Sequence, residues 1–272
     1  MEAIMDVKSE LVNINGSRFY YEIAGQGDTL VLIHGSSTDT RMWDDQFRPF
    51  SEHFQVLRYD MRGHGQSDQP TDEPYSHASD LNMLLEHLDI KKAHVAGLSS
   101  GGTAVIDFAL LHPDKTSSLI PISAGPTGRP STKSSTHEID KAIRLAFNTS
   151  GKPAASKIAY EHPVFNPAVM NPLSSKRMKQ YLDEAKDWWR MSRKDPGNFE
   201  EPSQITRLNE ISIPTLVIVG ELDIPEMGPA SDSIVNGIPE ARKVSMLNCG
   251  HMVNMEDPNT FNRILLEFLR QI

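Results

Sequence analysis

Short apolar runs alternate along the chain with helical patterns. Residues 29–33 read TLVLI, a continuous apolar run typical of a strand buried on both faces. Similar runs lie at 56–59, 93–96, 119–122, 215–219 and 244–247. Between the runs, apolar residues recur at helical spacing, as at Leu81, Leu84, Leu85 and Leu88. Strands that alternate with helices predict an α/β fold, with a mostly parallel sheet covered by helices on both faces.

The first apolar segments predict a hairpin. Residues 11–14 end at Asn15-Gly16, a two-residue turn signal, and residues 19–24 follow as the partner strand. We therefore expect antiparallel strands at one edge, which brings the sheet to eight strands.

The alternation breaks in residues 125–206, where no run of comparable β character occurs. This stretch contains a Ser/Thr cluster and a helical stripe that predicts one helix ending at Pro196-Gly197. The stripe consists of Met178, Tyr181, Leu182, Ala185, Trp188 and Trp189. We predict an α/β core of 1–124 and 207–272, with a helical cap or lid of 125–206 inserted between two strands. Such an insertion would cover the carboxyl edge of the sheet, where open α/β sheets bind ligands.

Composition narrows the classes of partner. The chain has 27 Lys and Arg against 36 Asp and Glu, a net charge of −9, which argues against a nucleic-acid binder. Residues 1–10 are acidic and lack the apolar centre of a secretory signal, and no run approaches the roughly 18 apolar residues of a membrane span. The single cysteine, Cys249, excludes an internal disulfide. We predict a cytoplasmic protein without membrane or nucleic-acid partners; the pattern leaves the oligomeric state open.

One strand-to-helix turn carries candidate chemistry. Gly97-Leu98-Ser99-Ser100-Gly101 follows the run at 93–96 and precedes a helical pattern. Small residues let strand and helix approach, and a serine at such a sharp turn projects its hydroxyl from the sheet edge. Alone, the pattern also fits a glycine-rich turn or a phosphate loop, but the dinucleotide fingerprint and the Lys-Ser/Thr of a phosphate loop are missing.

A serine nucleophile needs a base, and the base needs an acid. Of the ten histidines, His251 follows the last predicted strand and so lies at the same sheet edge as Ser99. Asp223 follows the strand at 215–219, and Glu221 and Glu226 are rivals in the same loop. The sequence therefore predicts Ser99, Asp223 and His251 as the catalytic residues.

Acyl transfer also requires donors for the developing oxyanion. His34-Gly35-Ser36-Ser37 follows the first parallel strand. We predict that the backbone N–H groups of Ser36 and Ser100 form the oxyanion hole.

These motifs resemble the α/β-hydrolase superfamily. The markers are His34-Gly35, the Ser99 turn, the Gly220-x-x-Asp223 loop, Gly250-His251, and a D-x-R-G-x-G-x-S turn from Asp60 to Ser67. The segment from Gly250 to Pro258 and the Ser99 turn are most similar to small esterases and lactonases of the 3-oxoadipate enol-lactonase type, although that group usually has Met at the position of Ser100.

The resemblance implies Ser99 as nucleophile, His251 as base and Asp223 as orienting acid, while Asp60 and Arg62 brace their turn. It implies hydrolysis of a small-molecule carboxylic ester or lactone without cofactor or metal. Two alternatives remain open: hydrolysis of a carbon–carbon bond, as in meta-cleavage product hydrolases, and a weakly active ligand receptor with the same fold. Ser37, Trp188 and Trp189 are candidates for the substrate pocket, although a tryptophan stripe also fits ordinary packing.

Overall fold

The strands of the described residues form one eight-stranded sheet. The structure is a computed structural model that describes residues 6–129, 135–185 and 202–272. The strands are β1 Val7–Ile14, β2 Ser17–Ala24, β3 Thr29–Ile33, β4 Gln55–Tyr59, β5 Ala93–Leu98, β6 Thr116–Ile122, β7 Leu216–Gly220 and β8 Arg242–Met246. Their order across the sheet is β1-β2-β4-β3-β5-β6-β7-β8. From β4 to β8 all neighbours pair in parallel, so the carboxyl ends of these six strands share one edge.

The predicted hairpin is confirmed. β1 and β2 pair antiparallel, and Asn15 and Gly16 both have positive φ, the backbone of a tight two-residue hairpin turn. β2 then pairs antiparallel with β4, which places both antiparallel strands at one edge of the parallel sheet.

Helices cover both faces of the sheet. They are α1 Asp44–Ser51, α2 His77–His87, α3 Ser100–Leu111, α4 His137–Ser150, α5 Lys152–Ala159, α6 Asn166–Met170, α7 Ser175–Glu184, α8 Met227–Gly237, α9 Val253–Glu256 and α10 Pro258–Leu269. Alternate residues of β3 enter different cores: Leu30 and Leu32 join one apolar cluster, and Val31 and Ile33 join the other. Burial on both faces explains why this strand has no polar alternation.

β8 departs from the sequence prediction. Its apolar run suggests a strand buried on both faces, but only Met246 of this strand is buried, and Leu247 directly after it is 69% exposed. The reason is topological, because β8 is the outermost strand and has one neighbour, β7.

The helix with the tryptophan stripe is shorter than predicted. α7 ends at Glu184, and Ala185 has a non-helical ψ of 134°. The Lys152 ammonium group donates to the Ala185 carbonyl at 2.8 Å. This carbonyl therefore has a side-chain donor and does not need the N–H group of a further helical turn. The prediction of one helix through Trp189 is therefore wrong, and Trp188 and Trp189 themselves lie outside the described residues.

Helices α4 to α7 lie between β6 and β7 in the chain. Pro167 of α6 lies where a side chain at Gly250 would project, and the Asn171 amide donates to the Glu256 carbonyl at 3.0 Å. This segment is therefore packed against the loop that carries His251. In the described ranges, none of the helices has the length and apolar character needed to cross a bilayer.

Candidate active site

Ser99 occupies a strained turn between β5 and α3. Its φ is 56° and its ψ is −115°, a conformation that costs a non-glycine residue roughly 1–3 kcal/mol. Two hydrogen bonds hold it there: the Ser99 N–H donates to Ile122 at 2.9 Å, and its carbonyl accepts from Thr103 at 3.0 Å. The side chain is half-buried.

The glycines on either side of Ser99 are required by close packing. A Cβ at Gly97 would overlap the carbonyl of Gly101. A Cβ at Gly101 would lie 2.5 Å from the carbonyl oxygen of His34 and 2.6 Å from that of Ile33. The glycines of the Gly-x-Ser-x-Gly motif are therefore needed because α3 packs closely against β3 and β5.

Asp223 and His251 form a buried pair after β7 and β8. The distance from His251 Nδ1 to each Asp223 carboxylate oxygen is 2.9 Å, and each side chain is 2% exposed. Because a carboxylate only accepts, Nδ1 carries the proton and Nε2 presents a lone pair. This is the tautomer that a general base needs.

The rival acids lie elsewhere. Glu221 accepts from the Asn248 N–H at 3.2 Å at the surface, and the Glu226 carboxylate binds Ser135. Another position for the acid would be the loop after β6, but this loop begins with Ser123, which has no carboxylate. Asp223 is thus the acid that contacts His251.

The loop after β3 lies against the Ser99 turn. A Cβ at Gly35 would be 3.4 Å from the Ser99 Cβ, and the Ser36 hydroxyl donates to the Ser100 hydroxyl at 3.2 Å. Ser100 is the first residue of α3, so its N–H has no acceptor within the helix. The residues expected to supply the two oxyanion donors are therefore neighbours beside Ser99.

His34 fixes that loop from within. Its Nε2 accepts from the Met61 N–H at 2.9 Å and its Nδ1 lies 2.7 Å from the Gly35 carbonyl, so Nδ1 carries the proton. The ring is fully buried. His34 of the His-Gly pair therefore stabilises the backbone of this loop.

Asp60 and Arg62 brace the turn after β4. Asp60 accepts from the Thr40 N–H at 2.8 Å and from the Gln66 N–H at 2.7 Å. Arg62 pairs with the buried Asp80 at 2.7 Å. Neither side chain contacts Ser99 or His251 in the contacts of the described chain, so both serve the scaffold.

In the described residues no hydrogen bond joins the Ser99 hydroxyl to the His251 ring. All three candidates follow carboxyl ends of parallel strands, β5, β7 and β8, and so share one edge of the sheet.

The remaining pocket candidates differ in what surrounds them. Ser37 is half-buried with a φ of 61°, next to the Ser36 loop. Trp188 and Trp189 fall outside the described ranges. Cys249, which is close to His251 in sequence, is no competing nucleophile, because burial raises the pKa of its thiol to about 12.

A separate cavity of about 460 Å³ lies beside the loop that follows Ser37. Its walls include Asp39, Arg41 and Glu184, and no candidate catalytic residue lines it. Arg41 pairs with both carboxylates, each at 2.7 Å, so these charges are already compensated. The catalytic geometry, rather than this cavity, defines the candidate site.

The sequence analysis did not single out Glu256. This buried carboxylate accepts hydrogen bonds from the N–H groups on both sides of His251. Its place five residues after His251, within a segment that resembles known hydrolases, was the signal for it.

Fold and site together define a class. The family model described as alpha/beta hydrolase fold matches residues 28–258. The chain therefore belongs to the α/β-hydrolase family, as the sequence motifs indicated.

Its relatives include enzymes of more than one activity. A 2-hydroxy-6-oxononadienedioate/2-hydroxy-6-oxononatrienedioate hydrolase of Paraburkholderia phymatum is 30% identical over 270 residues, covering 93% of this chain and 91% of the relative. A putative 2-succinyl-6-hydroxy-2,4-cyclohexadiene-1-carboxylate synthase of Bacillus subtilis is 26% identical over 266 residues, covering 93% and 95%.

Among solved structures, the enol-lactonase of Burkholderia xenovorans has a TM-score of 0.80 at 24% identity, covering 96% of this chain and all of that protein. At this identity the likeness concerns the fold. A protein described as an N-acyl homoserine lactone degrading enzyme has a TM-score of 0.76 at 26% identity, covering 95% of this chain and all of the other.

Proposed function

We propose that this hydrolase cleaves a small carboxylic ester or lactone through an acyl-enzyme on Ser99. The observation that carries the proposal is that a strained serine after β5 and a buried, oriented His251–Asp223 pair follow strands that end at the same edge of the sheet. A strained nucleophile turn and a histidine held in the basic tautomer are costly features that acyl transfer uses.

The proposed reaction has two halves. The Ser99 oxygen attacks the carbonyl carbon while His251 Nε2 takes the serine proton, and the backbone N–H groups of Ser36 and Ser100 stabilise the oxyanion. The C–O bond then breaks and His251 returns the proton to the leaving alcohol, which in a lactone stays attached to the acyl group. Water next attacks the acyl carbon while His251 takes its proton, the bond between the acyl carbon and the Ser99 oxygen breaks, and His251 returns the proton to Ser99 as the carboxylic acid is released.

We further propose that residues 125–206 form a cap over this site. The proximity of Pro167 to Gly250 and the hydrogen bond of Asn171 to Glu256, both at α6, support this proposal. Ser37 is the described candidate for the pocket of this site, next to Ser36.

A second candidate is hydrolysis of a carbon–carbon bond by the same residues. It is favoured by the 30% identity to the Paraburkholderia phymatum dienedioate hydrolase across 93% of this chain. In that case the bond broken in the first half-reaction is C–C, and the proton delivered by His251 goes to carbon.

The test compares wild type with Ser99→Ala on p-nitrophenyl esters, a simple lactone and a vinylogous 1,5-diketo acid. We expect ester or lactone turnover in the wild type and its loss by at least about 10³-fold in Ser99→Ala, with the melting temperature retained. A variant that keeps its turnover contradicts the role of Ser99. Faster cleavage of the diketo acid than of the lactone would select the second candidate.

A further inference from the structure

Glu256 is a buried carboxylate that the proposed triad does not use. It ends the short helix α9 and is 4% exposed. Burying an ionised carboxylate is unfavourable unless hydrogen bonds or a charge compensate it. Its partners therefore indicate what it does.

Both carboxylate oxygens bind the loop that carries His251. Oε2 accepts from the Gly250 N–H at 2.7 Å, and Oε1 accepts from the Met252 N–H at 3.0 Å. The two donors are the residues immediately before and after His251, so one side chain fixes the backbone on both sides of the proposed base. Hydrogen bonds to an ionised acceptor are about twice as strong as neutral ones.

The charge of Glu256 has no lysine or arginine partner within the described ranges. Burial raises the pKa of Glu256, while the amides of Gly250 and Met252 and the nearby His251 oppose that rise. A positive charge on the His251 ring therefore favours the ionised form of Glu256.

The other titratable groups around the pair are few. Asp223 faces His251 and raises the pKa of Glu256, while Cys249 and Asp257 flank the same loop and α9. From the segment between β6 and β7, the buried His162 faces His251. In the part of the chain that the structure describes, Asp223 contacts the His251 ring and Glu256 binds the backbone on both sides of it.

We propose that Glu256 is a positioning residue for His251, which fixes the histidine backbone through two amides and supplies a second negative charge to the imidazolium formed during catalysis. This inference rests on the proposed function of His251 as base. It predicts that removing the charge makes the histidine easier to deprotonate and, at the same time, places it less well.

The experiment measures the rate of labelling by a fluorophosphonate probe between pH 4.5 and 8.5, since labelling reports the activated serine without knowledge of the substrate. The variants are Glu256→Gln, Glu256→Asp and the matched control Asp257→Asn. The control removes one negative charge from the adjacent residue, whose side chain accepts from the Thr260 N–H at 3.1 Å and caps α10. Asparagine also caps helices, so the control should fold normally.

For Glu256→Gln we expect the acid limb to move to lower pH by about 0.5–1 unit, together with a plateau rate reduced about 10- to 100-fold. Glu256→Asp keeps the charge, so the acid limb of its labelling profile should stay within about 0.2 unit of wild type. Its shorter side chain reaches the amides less well, so its plateau rate should fall. Asp257→Asn should match wild type in both.

A Glu256→Gln limb that coincides with wild type overturns the proposal, whatever happens to the plateau. If Glu256→Gln does not fold, the Glu256→Asp limb decides: a displacement of about 0.5 unit or more overturns the proposal. An unlabelled wild type refutes the proposed function itself, whereas a labelled wild type with unshifted variants refutes the role of Glu256 alone.

Discussion

At the scale of single residues, the strongest feature is that backbone and side chain are both constrained at the proposed catalytic centre. Ser99 has positive φ without being glycine, and His251 contacts both oxygens of Asp223. The tautomer of the histidine follows from this contact, because only a protonated Nδ1 can donate to the carboxylate.

Asp223→Asn tests this orientation. The asparagine amide can donate to Nδ1, which would place the proton on Nε2 and remove the base. We expect kcat to fall by about 10³–10⁴-fold with little change in melting temperature, because the wrong histidine tautomer removes the base in Ser-His-Asp enzymes. Steady-state hydrolysis together with thermal unfolding measures both; a loss below about tenfold would show that Asp223 does not orient the base.

Residues also show where sequence reasoning reached its limit. The shared sheet edge of Ser99, Asp223 and His251 was predictable because each follows a strand, and carboxyl ends of parallel strands meet at one edge. The contacts of Glu256 were not, since its partners are backbone amides, and only its place in the segment from Gly250 to Pro258 pointed to it. The hydroxyl contact between Ser36 and Ser100 joins residues 64 positions apart and required the packed loops.

At the scale of elements, the Ser99 turn works because α3 packs unusually close to β3. Gly101 lies inside α3, where alanine would be favoured by about 1 kcal/mol on helix propensity alone. The carbonyls of His34 and Ile33 occupy the space that an alanine methyl group would need.

Gly101→Ala is therefore expected to destabilise the protein by about 1–3 kcal/mol, since a methyl group would be forced against backbone. Gly228→Ala is the matched control, a glycine in α8 with open space around its Cβ position, and should be neutral or stabilising by up to about 1 kcal/mol. Urea unfolding of both variants gives the comparison. Equal stability of Gly101→Ala and wild type would mean that the packing is not limiting.

The elements that were misjudged share a cause. The apolar run of β8 and the stripe of α7 were identified correctly as strand and helix, but their extent of burial and their ends depend on neighbours. β8 has one strand beside it, and α7 ends where Lys152 takes the Ala185 carbonyl. The hydrophobic pattern of a segment identifies it as a helix or a strand. The burial of that element and the residue where it ends depend on contacts with distant parts of the chain.

At the scale of the whole molecule, buried histidines link stability to pH. His162 is 6% exposed, its Nδ1 accepts from the Val164 N–H at 3.1 Å, and its Nε2 contacts Asp140 at 3.1 Å. Burial lowers the pKa of His162, and a positive charge on His251 lowers it further, while Asp140 opposes both. As the pH falls, His162 therefore binds a proton more readily in the unfolded chain than in the folded chain.

Below about pH 6.5, where histidine titrates in the unfolded chain, the free energy of unfolding should therefore fall with falling pH. In His162→Gln this fall should be smaller than in wild type, and in His137→Gln, which changes an exposed histidine of the same segment, it should be unchanged. Urea unfolding at pH 7.5 and 5.5 measures the difference. A fall in His162→Gln as large as that of wild type would contradict this assignment.

The central claim is that Ser99 is an activated nucleophile served by His251 and Asp223. Its most direct measurement is stoichiometric labelling by a fluorophosphonate, with the modified residue mapped by peptide mass spectrometry. We predict one adduct per chain, on Ser99, absent from Ser99→Ala and slowed by at least about 10³-fold in Asp223→Asn. Native wild type that remains unlabelled, or that is labelled at another serine, would contradict the account and favour a hydrolase fold that binds ligands without turning them over.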